Sequence, residues 1–261
     1  MSNIPQDDQN QPAPGVQHEA VPEAHQDRRE KQFLPVREPV FNMPSIIVAL
    51  AALMLTIHGM REWVLTAATD QYVILLFSFI PARYSGELAD FWPLAKYWTP
   101  FTYSLLHSDW LHIGVNLLWL AAFGSPVASR IGAGRSIGLA CVTSAGGAFA
   151  HWFSYGNELV PMIGASAVVS GYMGAATRFA FTGKGVAGRL NVHGPALTLL
   201  GSLTNPRIMV FILVWFGLNY LFGSGVVPVA GSQVSIAWQA HVGGFLAGLL
   251  FFPLFDRKGR V

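Results

Sequence analysis

A serine, two histidines and an asparagine stand inside the apolar stretches of this chain: Ser166, His241, His112 and Asn116. Such groups are costly in a membrane and are functional candidates by default. A hydroxyl beside a neutral imidazole pairs a nucleophile with its general base. The serine opens the run Ser166-Ala167-Val168-Val169-Ser170-Gly171-Tyr172-Met173-Gly174, just behind Gly164. Residues four apart share a helix face. Ser166, Ser170 and Gly174 therefore form one stripe of small residues, and Ala167, Gly171 and Ala175 a second. The histidine lies in Ala240-His241-Val242-Gly243-Gly244-Phe245-Leu246-Ala247-Gly248. Gly244 and Gly248 share its face and make a Gly-xxx-Gly seam, which lets two helices approach almost backbone to backbone. Pressing the two seams together would bring Ser166 and His241 into hydrogen-bond range.

The elements that must position these residues are membrane helices. The chain has 261 residues, 52% hydrophobic and 11% charged, whereas a soluble domain carries about 25% charged residues. Its 27 glycines and 8 tryptophans fit close-packed spans with interfacial aromatics. A net charge of +2 is too small to point to nucleic acid, and no metal or cofactor motif is visible. The single cysteine, Cys141, excludes an internal disulfide and is expected to pack as a small hydrophobe. Residues 1–39 are rich in Gln, Asp, Glu, Pro and His. They are expected to form a disordered cytoplasmic tail, with no apolar signal core near Met1.

Apolar runs predict an all-α polytopic membrane protein whose domain covers residues 40–256, with a short tail at 257–261. Six spans are expected, at about 43–65, 103–123, 136–155, 166–181, 208–222 and 236–255. Residues 66–100 read as a membrane-associated first loop with short helices and aromatic anchors. The basic residues set the orientation. Arg28, Arg29, Lys31 and Arg37 precede the first span. Arg130 and Arg135 follow the second, Arg178, Lys184, Arg189 and Arg207 surround the fourth-to-fifth loop, and Arg257, Lys258 and Arg260 follow the sixth. Only Arg61, Arg83 and Lys96 of the first loop break the pattern. Both termini are therefore expected in the cytoplasm. Spans two, four and six then enter from outside, which places His112, Asn116, Ser166 and His241 at similar depth.

Bland readings compete. A serine in a small-residue seam is packing far more often than catalysis, and a lone membrane histidine is more often a hydrogen-bonded strut. His107 is read as interfacial or as a support to the site, and His151 as an interfacial strut. His58 is placed near an outer interface and His193 in a cytoplasmic loop. From Trp110 onward the only acids are Glu158 and Asp256, which counts against an ion-coupled transporter. Shared face, shared depth and complementary seams favour a Ser-His dyad without an acid. A non-catalytic membrane scaffold or chaperone that binds client helices would need the seams but not the serine.

Three motifs in order resemble the rhomboid family of intramembrane serine proteases. Gly164-Ala165-Ser166 fits its Gly-x-Ser motif. Ala240-His241-Val242-Gly243-Gly244 with Gly248 fits its Ala-His-x-x-Gly motif. The stretch from Thr102 to Asn116, with His112-x-x-x-Asn116, fits its second-helix pattern. There are departures: Ala167 stands where the family usually has glycine, Ala128 where a glutamate often stands, and the first loop lacks the usual Trp-Arg pair. The resemblance implies a six-helix rhomboid-like bundle in the plasma (inner) membrane of a prokaryotic cell. It implies cleavage of single-span membrane-protein substrates near their outer end, within the lipid bilayer. It assigns Ser166 as nucleophile, His241 as base, and His112 and Asn116 as oxyanion donors. By the same analogy Phe211 and Trp215 of span five would form a lateral gate.

Overall fold

The computed structural model describes residues 43–85, 88, 90–181, 192, 194–224 and 237–257. The tail at 1–39, the loop residues Lys184, Arg189 and His193, and the terminal Lys258 and Arg260 lie outside the described residues. Among the described residues regular structure is helical, apart from one isolated bridge between Phe79 and Met162.

The helices are α1 Ser45–Trp63, α2 Ala67–Phe77, α3 Ala95–Thr102, α4 Trp110–Ile131, α5 Ala133–Tyr155, α6 Ser166–Thr177, α7 Pro206–Gly223 and α8 Trp238–Phe255. Single turns of helix at Ala82–Ser85 and Leu199–Leu203 add to them. Four of these, α1, α4, α7 and α8, are long and apolar enough to cross a membrane. The two other expected spans are also helical. α5 has 23 residues, diluted in hydropathy by glycine, serine and threonine. α6 has only 12 residues, roughly 18 Å of helix against a hydrocarbon core of about 30 Å. It needs no lipid-facing surface, because every residue from Ala167 to Thr177 is buried.

Helix ends follow local chemistry rather than hydropathy. α4 begins at Trp110, not near residue 103, because Asp109 caps it: its Oδ1 accepts the His112 amide at 2.8 Å. The preceding Tyr103–Leu105 is a 3₁₀ turn. α4 then continues past residue 123 to Ile131 through a π-helical segment, Leu120–Gly124. Pro126 follows at once, and a proline lacks the amide and crowds the carbonyl a turn earlier, so a widened turn accommodates it. α6 stops at Thr177, short of residue 181. There Arg178 donates to the carbonyls of Leu197 at 2.9 Å and Leu249 at 2.8 Å.

Two of the three first-loop cations that break the charge pattern are structural. Arg61 is buried, 2.6 Å from Asp70, and donates to the His107 carbonyl at 2.6 Å. Arg83 is buried and donates to Leu75 O at 2.7 Å. Trp98 Nε1 and Thr102 Oγ1 donate to the carbonyls of Leu76 and Phe77, closing the loop on itself. At the opposite end, Arg130 bridges α4 to Asp256 after α8 at 2.7 Å, with both side chains buried. This pair ties helix ends two residues beyond Ala128, where the resemblance would place a glutamate. Cys141 is exposed, contrary to the expectation of a packed thiol. It lines an outward-facing groove with Leu53 and Ile137, where an apolar thiol suits lipid.

Candidate active site

The strand of chain leading to Ser166 is held from three sides. Phe79 and Met162 exchange backbone bonds at 3.0 and 2.8 Å. His151 Nε2 donates to Val160 O at 3.0 Å, so this histidine is a strut. The Gly164 amide donates to Tyr103 O at 3.0 Å, and the Ala165 amide to His107 Nε2 at 3.4 Å. His107 thus supports the serine loop from behind. His58 is buried near the N-terminal end of α4, edge-on to Trp110.

Gly164 has φ +118°, a conformation that L side chains avoid. A Cβ built there would lie 2.7 Å from His112 Nε2 and 3.8 Å from Ser166 Oγ. The bare face of Gly164 is therefore where the His112 ring and the Ser166 hydroxyl converge. Asn116 lies one turn further along α4 and is buried. Its Nδ2 donates to the His112 carbonyl at 2.9 Å. Ser166, His112 and His241 are each only partly buried.

The far nitrogen of His112 is also engaged. Its Nδ1 lies 3.4 Å from the Ser108 amide and 3.0 Å from Ser108 Oγ, which donates to Asp109 Oδ2 at 2.7 Å. The bond from Ser108, with the His112 amide at its other oxygen, holds the Asp109 carboxyl below the ordinary carboxylate range. An acid therefore does touch this region, but through His112 and not through His241.

The predicted seams meet. A Cβ on Gly244 would collide with the carbonyl oxygen of Ala167, one on Gly248 with that of Gly171, and one on Gly174 with that of Phe245. α6 and α8 thus touch backbone to backbone, with Gly244 beside the residue after Ser166. α5 closes the third side, where a Cβ on Gly147 would strike the Ala167 methyl. His241 lies on the turn before Gly244. Its Nδ1 is 2.6 Å from Asn219 Oδ1 on α7. Sequence reasoning missed Asn219. The available signal was an amide in an otherwise apolar run, since a buried amide needs a partner.

Phe211 and Trp215 of α7 pack on aromatic rings: Phe211 against Phe123 and Phe181, Trp215 stacked on Phe245 at 4.7 Å. Among the described residues no group of three His, Cys, Asp or Glu side chains could hold a metal ion.

Comparison with known proteins agrees with this frame. Residues 94–257 match the sequence profile of the Rhomboid domain. A protein named rhomboid protease GlpG from Pectobacterium atrosepticum is 29% identical over 154 residues, covering 59% of this chain and 46% of the relative. One of the same name from Serratia proteamaculans is 30% identical over 153 residues, with the same two coverages. The chain spans about half the length of the curated relatives it matches. The matched region runs from α3 through α8 and contains every site residue described above, so this integral membrane protein belongs to the rhomboid family.

Proposed function

We propose that this protein is an intramembrane serine endopeptidase that uses a Ser166–His241 dyad to cut single-span membrane proteins near their outer end. The observation that carries the reading is the backbone contact of Gly244 with Ala167, which sets the His241 turn against the Ser166 end of α6. In this reading His241 Nε2 takes the Ser166 proton as Oγ attacks the scissile carbonyl. The carbonyl π electrons move to oxygen. That oxyanion is met by the Ser166 amide, by His112 Nε2 and by Asn116 Nδ2. A donor role for His112 toward the oxyanion requires a proton on its Nε2. Collapse breaks the C–N bond, and the imidazolium gives its proton to the leaving amine. Water, deprotonated by His241, then releases the acyl group and restores Ser166.

A substrate helix hides its carbonyls in its own hydrogen bonds, so small or helix-breaking residues near its outer end favour cleavage. The basic residues of the sequence support cytoplasmic termini, in the inner membrane of a bacterium.

The test uses the full chain purified in detergent, a model single-span substrate and a fluorophosphonate probe. Wild type cleaves and is labelled, whereas Ser166→Ala and His241→Ala do neither. His112→Ala and Asn116→Ala each lower kcat by about 10²-fold, the scale of a lost oxyanion donor. A folded wild type that neither cuts nor labels would move the assignment to a membrane scaffold that binds client helices. Equal cutting by wild type and Ser166→Ala would remove the serine assignment.

A further inference from the structure

Between Ile208 and Leu218, α7 carries no amide, hydroxyl or charged side chain; the next residue is Asn219. Its two ends are both used. Nδ2 donates to Trp215 O, one turn back in the same helix, at 2.8 Å, and Oδ1 lies 2.6 Å from His241 Nδ1. These contacts decide the proton positions. A backbone carbonyl only accepts, so the Trp215 contact must be made by the NH2 group. That leaves Oδ1 toward the ring, and an amide oxygen also only accepts. The ring nitrogen facing it must therefore be the donor. A neutral imidazole protonated on Nδ1 has its lone pair on Nε2.

We infer that Asn219 is a positioning residue that holds His241 in the Nδ1–H tautomer and fixes its ring plane, leaving Nε2 free as the base for Ser166. The inference rests on the protease reading only for its catalytic consequence; the tautomer stands on the hydrogen bonds. An amide differs from a carboxylate here. It selects tautomer and orientation without placing a negative charge beside the imidazolium that forms during attack. It also acts across an inter-helix boundary, since the base is on α8 and its holder on α7.

Two variants separate this role from plain packing. Asn219→Leu keeps nearly the volume and removes the acceptor, while Asn219→Asp keeps an acceptor oxygen in the same place. With the model substrate, Asn219→Leu lowers kcat on the order of 100-fold, the usual scale of a general-base contribution, with KM unchanged. Asn219→Asp recovers most of the loss. In parallel, ¹⁵N NMR of histidine-labelled protein in detergent reads the His241 tautomer directly, with His241→Gln assigning the signal. Wild type shows the proton on Nδ1, and Asn219→Leu loses that preference.

A wild-type ring protonated on Nε2, an unchanged tautomer in Asn219→Leu, or an unchanged kcat in that variant would each overturn the inference. A wild type that cuts nothing would sink the protease reading, while the NMR measurement would still decide the role of Asn219.

Discussion

Two helix contacts in this molecule are built on opposite principles. α6 meets α8 through small residues whose backbones nearly touch: Gly244 on Ala167, Gly248 on Gly171, Gly174 on Phe245. α7 meets α8 through large rings, with Trp215 and Phe216 packed on Phe245, and Ile208 is its one buried residue. Lipid is as apolar as leucine, so membrane helices gain little from hiding apolar surface and rely on close packing and hydrogen bonds. The first contact has close packing along its length. The second has a few ring contacts, a close approach of Gly223 to Trp238 at its end and the Asn219–His241 bond. The helices carrying Ser166 and His241 are thus locked together, while the helix carrying Asn219 is held lightly. The proposed dyad needs precision between Ser166 and His241, and a tight seam supplies it.

Gly248→Ala is the strongest way to break the contrast. The added methyl would overlap the Gly171 carbonyl and sit 2.8 Å from its Cα. Backbone cannot swing aside as a side chain can, so α6 and α8 must separate. Overpacking of this kind costs about 3 kcal/mol, the upper part of its usual range. A thermal melt in detergent should show a clear fall in Tm, with loss of cleavage at temperatures where the variant is still helical. A Gly248→Ala protein as stable and active as wild type would mean that the seam is not what sets the site.

Trp215→Ala probes the looser contact. It removes a ring stacked on Phe245 at 4.7 Å with 25° between planes. Aromatic pairs contribute about 0.5–1.5 kcal/mol beyond their area, and Trp215 is only partly buried, so the loss is about 1–2 kcal/mol. The same melt should show a smaller fall than Gly248→Ala. A larger one would reverse the order of the two contacts.

How far the sequence revealed this arrangement depended on the range of each signal. The seams were legible because small residues at every fourth position are a local pattern, visible at Gly244 and Gly248 without knowledge of the partner. His112 and Asn116 were legible as one face for the same reason. The start of α4 was misplaced because hydropathy rises before Trp110, whereas the cap at Asp109 decides the boundary. The Phe79–Met162 bridge is made by backbone atoms and leaves no side-chain trace. Arg130 and Asp256 are far apart in the chain, and each alone reads as a charge at a membrane edge. Asn219 and His241 lie on different helices joined by a loop, and no periodicity links an amide on one to an imidazole on the other.

The smallest expected effect is the sharpest control, because it repeats the strongest substitution on the looser helix. Gly217→Ala adds the same methyl to α7, where a Cβ would meet nothing within 4 Å. The neighbouring Leu213, Val214 and Leu218 are exposed, as expected of a face turned to lipid. Alanine also replaces the residue with the most backbone freedom to lose, which in water-exposed helices is favourable by about 0.5–1 kcal/mol. The net change in stability should therefore lie within about 0.5 kcal/mol of zero or be slightly favourable, with cleavage unaltered. Identical chemistry at Gly248 and Gly217 would then differ on the order of a hundredfold in the folding equilibrium, through the presence or absence of a facing backbone. A Gly217→Ala variant as damaged as Gly248→Ala would show that α7 packs against a surface absent from the single chain. The contrast between a locked seam and a lightly held helix would then fail.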